Sequence, residues 1–229
     1  MFVTTDLETS VEFFGRHGWL SGFEEPVRRS ILKGGRTRRF AAGDMIYRIG
    51  EEPDGVYGLM IGSLMVSLPS DAGTVFDCYF ARPGFWIGDS ALFSNATRLV
   101  SLTAVSDVKC WHLSRTRIIE LLRSDSSMYE PFYALNHRNM ASLIRILANL
   151  AIPDSARRLI AWFLFSADDL PSTSDWIAAS QEQIAMQNNL SLPTARRLLK
   201  RFEKDGLIDQ GYGQVRIRDR AKMQAFSQT

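Results

Sequence analysis

The sequence predicts an α+β chain in three parts: an N-terminal β-roll flanked by short helices (residues 1–125), one long helix (126–152) and a C-terminal winged helix-turn-helix (153–229). Three observations carry this division. From Arg36 to about residue 113 helical periodicity is lost, and short apolar runs alternate with glycines. A long helical stretch with a seven-residue apolar repeat follows. Beyond it, two capped helices are separated by Asn188-Asn189 and followed by a Gly-rich hairpin.

The N-terminal part opens with two short helices, "DLETSVEFFGRHGWLSGF" and "EEPVRRSILKG", the second stopped by Gly34-Gly35. "MIYRI", "VYGLMI", "SLMVSL", "VFDCYF" and "VSLTAV" are then the strands, with Gly43, Gly50, Gly55, Gly58, Gly62, Gly73, Gly84 and Gly88 between or within them. Within "MIGSLMVSL", Gly62-Ser63 predicts a tight two-residue hairpin.

"SRTRIIELLRSD" returns to helix, and "SSMYEPFYALNHRNMASLIRILANLA" forms the long helix, ending before Pro153. Phe132, Asn139 and Ile146 repeat at the coiled-coil spacing, as do Asn136, Leu143 and Leu150. This predicts a homodimer seam in which buried asparagines fix the register, the other reading being a helix packed on its own domain.

Asp154 caps "SARRLIAWFLFSAD", and "DLPSTSD" is a polar loop. Ser180 precedes Gln183 at capping-box spacing. Asn188-Asn189 break the short helix, because Asn tolerates the left-handed conformation of a tight turn. Ser191 caps the next helix, with Pro193 in its first turn where a missing N–H costs little. "KDGLIDQGYGQVRIRD" is strand, tip, strand: a wing. Between Ser191 and Lys222 there are nine basic residues, including Arg196, Arg197 and Lys200, against four acidic ones, in a chain whose net charge is only +2. Localised positive charge on a helix-turn-helix and wing predicts duplex DNA as the partner.

Composition narrows the other classes. The chain is 45% hydrophobic and 23% charged, as expected of a globular protein. The N-terminus lacks a basic then apolar leader, and no apolar run is long enough to span a bilayer, so the expected place is the cytoplasm with no membrane partner. Cys78 and Cys110 are predicted to be buried thiols, too few for a four-cysteine iron–sulfur cluster. His17, His112 and His137 are scattered, so no metal site is expected. No phosphate loop or nucleophile–base pair is evident, which argues against an enzyme and a catalytic site.

In this order of parts the chain resembles the cyclic-AMP receptor protein (CRP/FNR) family of bacterial transcription regulators. "FAAGDMIYRIGEEPDGVYGLMIGSLMVS" is similar to the family's early cyclic-nucleotide-binding β-roll, and "SQEQIA" with "RRLLKRFEKDGLI" to its helix-turn-helix and exit into the wing. The resemblance implies a homodimer on a two-fold-related operator, with the helix from Ser191 in the major groove. RNA polymerase and an unidentified small-molecule effector are further candidate partners. By the family pattern Leu192, Pro193 and Arg197 reach base edges, with Arg196 a further candidate, while Ser180, Gln181 and Thr194 meet phosphate. The family's best-known pattern has Arg and Glu where this chain has Leu192 and Pro193, which implies a different operator and more reliance on DNA shape. A second reading is a ligand-sensing or protein-interaction module of the same fold with weak or no DNA binding.

The family's phosphate cradle is matched by Gly88-Asp89-Ser90-Ala91 and by Arg98-Leu99. Asp89 in place of Glu retracts the carboxylate by roughly 1.5 Å. Leu99 replaces a hydroxyl with bulk, and Leu143 and Ile144 stand where the family's base-recognising hydroxyls fall. Arg98 is open to three readings: an anion ligand, a surface arginine, or a structural partner of Asp89 or Asp107. The expectation is that cyclic AMP is not the effector and that no cofactor is held.

Overall fold

The glycine-punctuated stretch folds into eight strands: β1 (Arg36–Phe40), β2 (Met45–Tyr47), β3 (Gly55–Ile61), β4 (Leu64–Pro69), β5 (Val75–Ala81), β6 (Trp86–Ile87), β7 (Ser101–Ala104) and β8 (Val108–Ser114). They form two antiparallel four-stranded sheets, ordered β1-β8-β3-β6 and β2-β7-β4-β5. This is a computed structural model that describes residues 3–69, 75–94, 96–168 and 175–228; Gly73 and most of "DLPSTSD" lie outside them. The chain divides into two units, Met1–Ser142 and Leu143–Thr229.

One local expectation is corrected. Gly62-Ser63 does not close a hairpin, because β3 and β4 lie in different sheets. The turn is instead the corner where the chain crosses from one sheet to the other. It is held by the Ser63 N–H donating to Ser106 Oγ (3.1 Å) and by Val105 N–H donating to Ser63 O (2.9 Å). Gly62 takes φ +89°, and a Cβ there would sit 2.3 Å from Asp107 O. The glycine therefore serves a crossing rather than a two-residue hairpin turn.

Between the sheets lies a core of Tyr47, Tyr57, Leu59, Leu64, Val66, Leu102 and Cys110. Strand β3 is buried on both faces. Its Tyr57 and Leu59 enter this core, while Val56 and Met60 join a second core. That second core is closed by the helices α1 (Val3–Arg16), α2 (Glu25–Leu32), α3 (Arg115–Ser124) and α4 (Tyr129–Leu150). Its centre is aromatic: Trp19 stacks edge-on to Trp86 at 5.5 Å and tilts against Phe132 at 5.4 Å. Trp19 Nε1–H donates to Pro131 O (2.8 Å), which ties the start of α4 to this core. Cys78 and Cys110 are buried, and burial pushes their thiols up to about 11 and about 12, so neither is poised as a thiolate.

The second unit contains α5 (Ser155–Asp168), β9 (Trp176–Ala178), α6 (Gln181–Gln187), α7 (Leu192–Lys204), β10 (Ile208–Gly211), β11 (Gln214–Ile217) and α8 (Arg220–Gln228). Asp154 caps α5, its Oδ1 accepting from Arg157 N–H (2.8 Å). Leu159, Phe163, Ile184, Leu199, Phe202, Val215 and Met223 make its core. Strand β9 pairs with β11, so the wing is a three-stranded sheet, and α8 packs against α5 behind it.

Candidate nucleic-acid interface and ligand loop

The helix-turn-helix is built by its caps. Ser180 Oγ accepts from Gln183 N–H (3.2 Å), and Gln183 Oε1 accepts from Ser180 N–H (2.8 Å), a complete capping box. Asn189 takes φ +48°, the one non-glycine positive φ among the described residues, and Leu190 N–H closes the turn on Ala185 O (2.9 Å). Asn188 is fully buried and donates from its amide to Ile184 O (2.8 Å). Ser191 Oγ then accepts from Thr194 N–H (3.3 Å) and starts α7. Ala195, Leu198, Leu199 and Phe202 bury one face of α7, and this leaves Pro193, Arg196, Arg197 and Lys200 exposed on the other.

The two adjacent arginines differ. Arg196 reaches back to α6, donating to Gln181 Oε1 (3.2 Å) and Glu182 Oε1 (3.4 Å). Arg197 has no hydrogen bond or ion pair among the described residues, and neither has Lys200. Gln181 also donates to Gln210 Oε1 (3.1 Å), and Gln210 donates to Glu203 Oε2 (3.0 Å), so the wing is fixed to both helices. At the wing tip Tyr212 is fully exposed. Below it, Arg216 lies over the Trp176 ring (4.9 Å) and pairs with Asp209 (2.8 Å). Of the residues expected at the interface, Leu192, Thr194, Ser180 and Gln181 are half-buried and Ser191 is exposed. Sequence reading missed Gln210, which bonds both helices through its side chain, and Trp176, which meets Arg216 through the pairing of β9 with β11.

In the ligand loop the charged residues face inward. Arg98 is 3% exposed. Its guanidinium donates to Gly88 O (3.2 Å), Gly55 O (2.8 Å) and Asp54 Oδ1 (2.7 Å), and Tyr47 covers it at 4.1 Å from the ring centroid. Arg98 is therefore not a surface arginine, and its ion-pair partner is Asp54 rather than the expected Asp89 or Asp107. Asp54 also accepts from Tyr57 OH (2.7 Å), and His112 Nε2 lies 3.3 Å away. Burial opposes ionisation of Asp54. The contacts with His112 and Tyr57 and the charge of Arg98 outweigh it and hold the carboxyl well below the usual range. Gly88 takes φ +109°, and a Cβ there would fall 2.5 Å from Arg98 Nη1, so this glycine makes room for the inward arginine.

Asp89 is 5% exposed and is claimed by α4: Oδ1 accepts from Asn139 Nδ2 (2.7 Å) and Oδ2 from Asn136 Nδ2 (3.1 Å). Burial pushes its carboxyl up, offset only in part by these bonds. Ser90 and Leu99 are exposed and Ala91 is buried. Leu143 and Ile144 belong to the second unit, where both are exposed.

These contacts correct the expected seam. Phe132 is 1% exposed inside its own unit, and Asn136 and Asn139 are bonded to Asp89, so none of the three is free to face a second chain. Ile146 and Leu150 are half-buried, and only Leu143 of the expected set is exposed. The free apolar stripe of α4 is Tyr133, Met140, Ile144 and Leu147, completed by exposed His137, at alternating four- and three-residue spacing. This exposed stripe lies one residue along from the expected one.

Comparisons with known proteins match both units. A model of the cyclic nucleotide-binding domain matches residues 37–125, and a model of the Crp-like helix-turn-helix domain matches residues 157–226. The chain is 27% identical over 186 residues to the transcriptional regulatory protein btr of Bordetella pertussis, covering 79% of this chain and 76% of that one. It is 25% identical over 195 residues to the transcriptional regulator LdrP of Thermus thermophilus, covering 82% and 94%. In fold it is similar to FixK2 from Bradyrhizobium japonicum, with a TM-score of 0.73 at 17% identity over 83% of this chain and 96% of that one.

Proposed function

The chain belongs to the CRP/FNR family of transcription regulators, and from that premise we propose that it is a homodimer that reads a two-fold-related operator and whose ligand loop does not take cyclic AMP. The observation that carries the DNA half is the exposed basic face of α7, on which Arg197 is unengaged while Arg196 is tied to α6. A free guanidinium at this place can pair with guanine O6 and N7, and Lys200 with a phosphate. Dimerisation is assigned to the Tyr133–Met140–Leu147 stripe. Members of the family are regulators rather than enzymes. Among the described residues no helix is long and apolar enough to cross a membrane. The cytoplasm, where operator DNA and RNA polymerase meet, is the proposed place of action.

Leu192 and Pro193 bring no hydrogen-bonding side chain to the first turn of α7. Selection on random duplexes is expected to return an operator different from the family's usual half-site; recovery of that half-site as the best sequence would sink this expectation. On the selected duplex, Arg197→Ala is expected to cost about 1–3 kcal/mol and relax one base position. Affinity should fall steeply with salt. Failure to bind any promoter region in a gel-shift titration would instead favour the sensor or interaction module.

The effector, if one exists, is expected to differ from cyclic AMP. A nucleotide phosphate would meet a loop whose arginine already serves Gly88 O, Gly55 O and Asp54, and whose carboxylate already serves α4. Calorimetry with cyclic AMP and cyclic GMP is expected to show no micromolar binding. Micromolar affinity for either would overturn this half of the reading.

A further inference from the structure

We propose that Asp89, Asn136 and Asn139 form a built-in latch that holds α4 on the β-roll in place of a bound nucleotide, so that the chain engages DNA without an effector; this rests on the DNA-binding reading above.

Both Asp89 oxygens accept from side chains of the long helix, at 2.7 Å and 3.1 Å. Asn139 Nδ2 also donates to Trp86 O (3.0 Å) on β6, so the same amide grips the loop and the strand before it. A buried carboxylate is tolerated only when it is well hydrogen-bonded, and charge-assisted bonds are roughly twice as strong as neutral ones. Removing the amides would leave Asp89 buried without its two side-chain donors. The loop end of the latch is itself rigid: Arg98 holds Gly88 O, and Leu92 N–H donates to Asp89 O (3.0 Å).

The latch also sets direction. At 3.6 residues per turn, Phe132, Asn136 and Asn139 lie on one side of α4. Tyr133, Met140 and Leu147 lie about a quarter-turn around it. Phe132 against Trp19 fixes the helix in depth, and the two asparagines fix its rotation. The direction of the exposed stripe, and with it the pairing of two chains, is therefore set by the protein's own carboxylate. A ligand performing that task would have to touch both loop and helix at the place the latch already occupies.

The test uses the full chain and the duplex from the selection. Fluorescence anisotropy is measured without nucleotide and with millimolar cyclic AMP or cyclic GMP. The variants are Asn136→Ala alone and Asn136→Ala with Asn139→Ala. Wild type is expected to bind without nucleotide, unchanged by either one. The single variant is expected to bind a few-fold more weakly and the double variant at least about 10-fold more weakly, both with wild-type circular dichroism. Hydrogen exchange should rise over residues 129–142 and not over 192–204. A wild type that binds only with added nucleotide overturns the latch, as does a folded variant that binds as tightly as wild type. Should the double variant fail to fold, the single variant decides by the same readings. A wild type that binds no duplex overturns the DNA-binding reading instead; unchanged exchange over 129–142 in the variants then overturns the latch as well.

Discussion

Arg98→Ala is expected to destabilise the N-terminal unit by about 3–5 kcal/mol, as breaking a buried charged contact does. The guanidinium is the shared donor for two backbone carbonyls, Gly88 O and Gly55 O, and for Asp54. Without it the carbonyls lose their donor inside a dry site, at about 1–3 kcal/mol for each group left unpaired. Gly88 would also keep a positive-φ conformation shaped around an arginine that is gone. The Asp54 pair alone would give a smaller effect, because its carboxylate is about half exposed and partly screened by water. In a unit of this size the midpoint of thermal unfolding should fall by about 10 °C. Arg98→Lys should recover little of this, since one ammonium cannot serve acceptors spread across a planar fork. An arginine waiting for a phosphate behaves in the opposite way: its removal relieves an unpaired charge and leaves the apo protein as stable or more so. Calorimetric unfolding of the full chain separates the two, and a midpoint unchanged within a degree or two would contradict the structural role.

How much of this was legible depends on range along the chain. The helix-turn-helix could be read residue by residue, because Ser180 with Gln183, Asn189 and Ser191 with Thr194 act within a few positions of one another. The expectation that Leu99 and Asp89 serve no nucleotide came from their chemistry, while their actual surroundings were not legible. Asp54 meets Arg98 only because β3 and the ligand loop are brought together by the roll, and nothing local in "EEPDG" marks that carboxylate. The Gly62 corner failed for a related reason. Tight-turn chemistry is the same whether the next strand pairs with its neighbour or crosses to another sheet, and only the distant Ser106 decides. Strand β9 had no periodic signal, being three residues long and dependent on pairing with β11. On α4 the expected and the exposed stripes differ by one residue. Two apolar faces run along the same helix, one against its own roll and one free. A heptad count finds a stripe without saying which of two adjacent stripes faces inward; Phe132 belongs to the first and Tyr133 to the second.

That offset makes the second large prediction. Met140→Glu with Leu147→Glu is expected to leave each chain folded and to abolish dimerisation at micromolar concentration. Both side chains are at least half exposed in the single chain, so glutamate there removes no core contact and should change folding stability by less than about 0.5 kcal/mol. In a two-fold seam the same substitutions have a different cost. Each lost apolar side chain forfeits about 1.5–3 kcal/mol of burial, counted once per chain. The four carboxylates then face one another across the axis, where like charges oppose association. Losing the dimer also loses the second half-site, so operator affinity should fall by about 10²–10⁴-fold even with Arg197 and Lys200 intact. Sedimentation velocity gives the mass and anisotropy gives the affinity, and the two must move together. Weak binding by a chain that still sediments as a dimer would place the effect in the DNA surface and not in the seam. A dimer with wild-type affinity would mean that Tyr133, Met140 and Leu147 face solvent in the assembly and that two chains meet elsewhere.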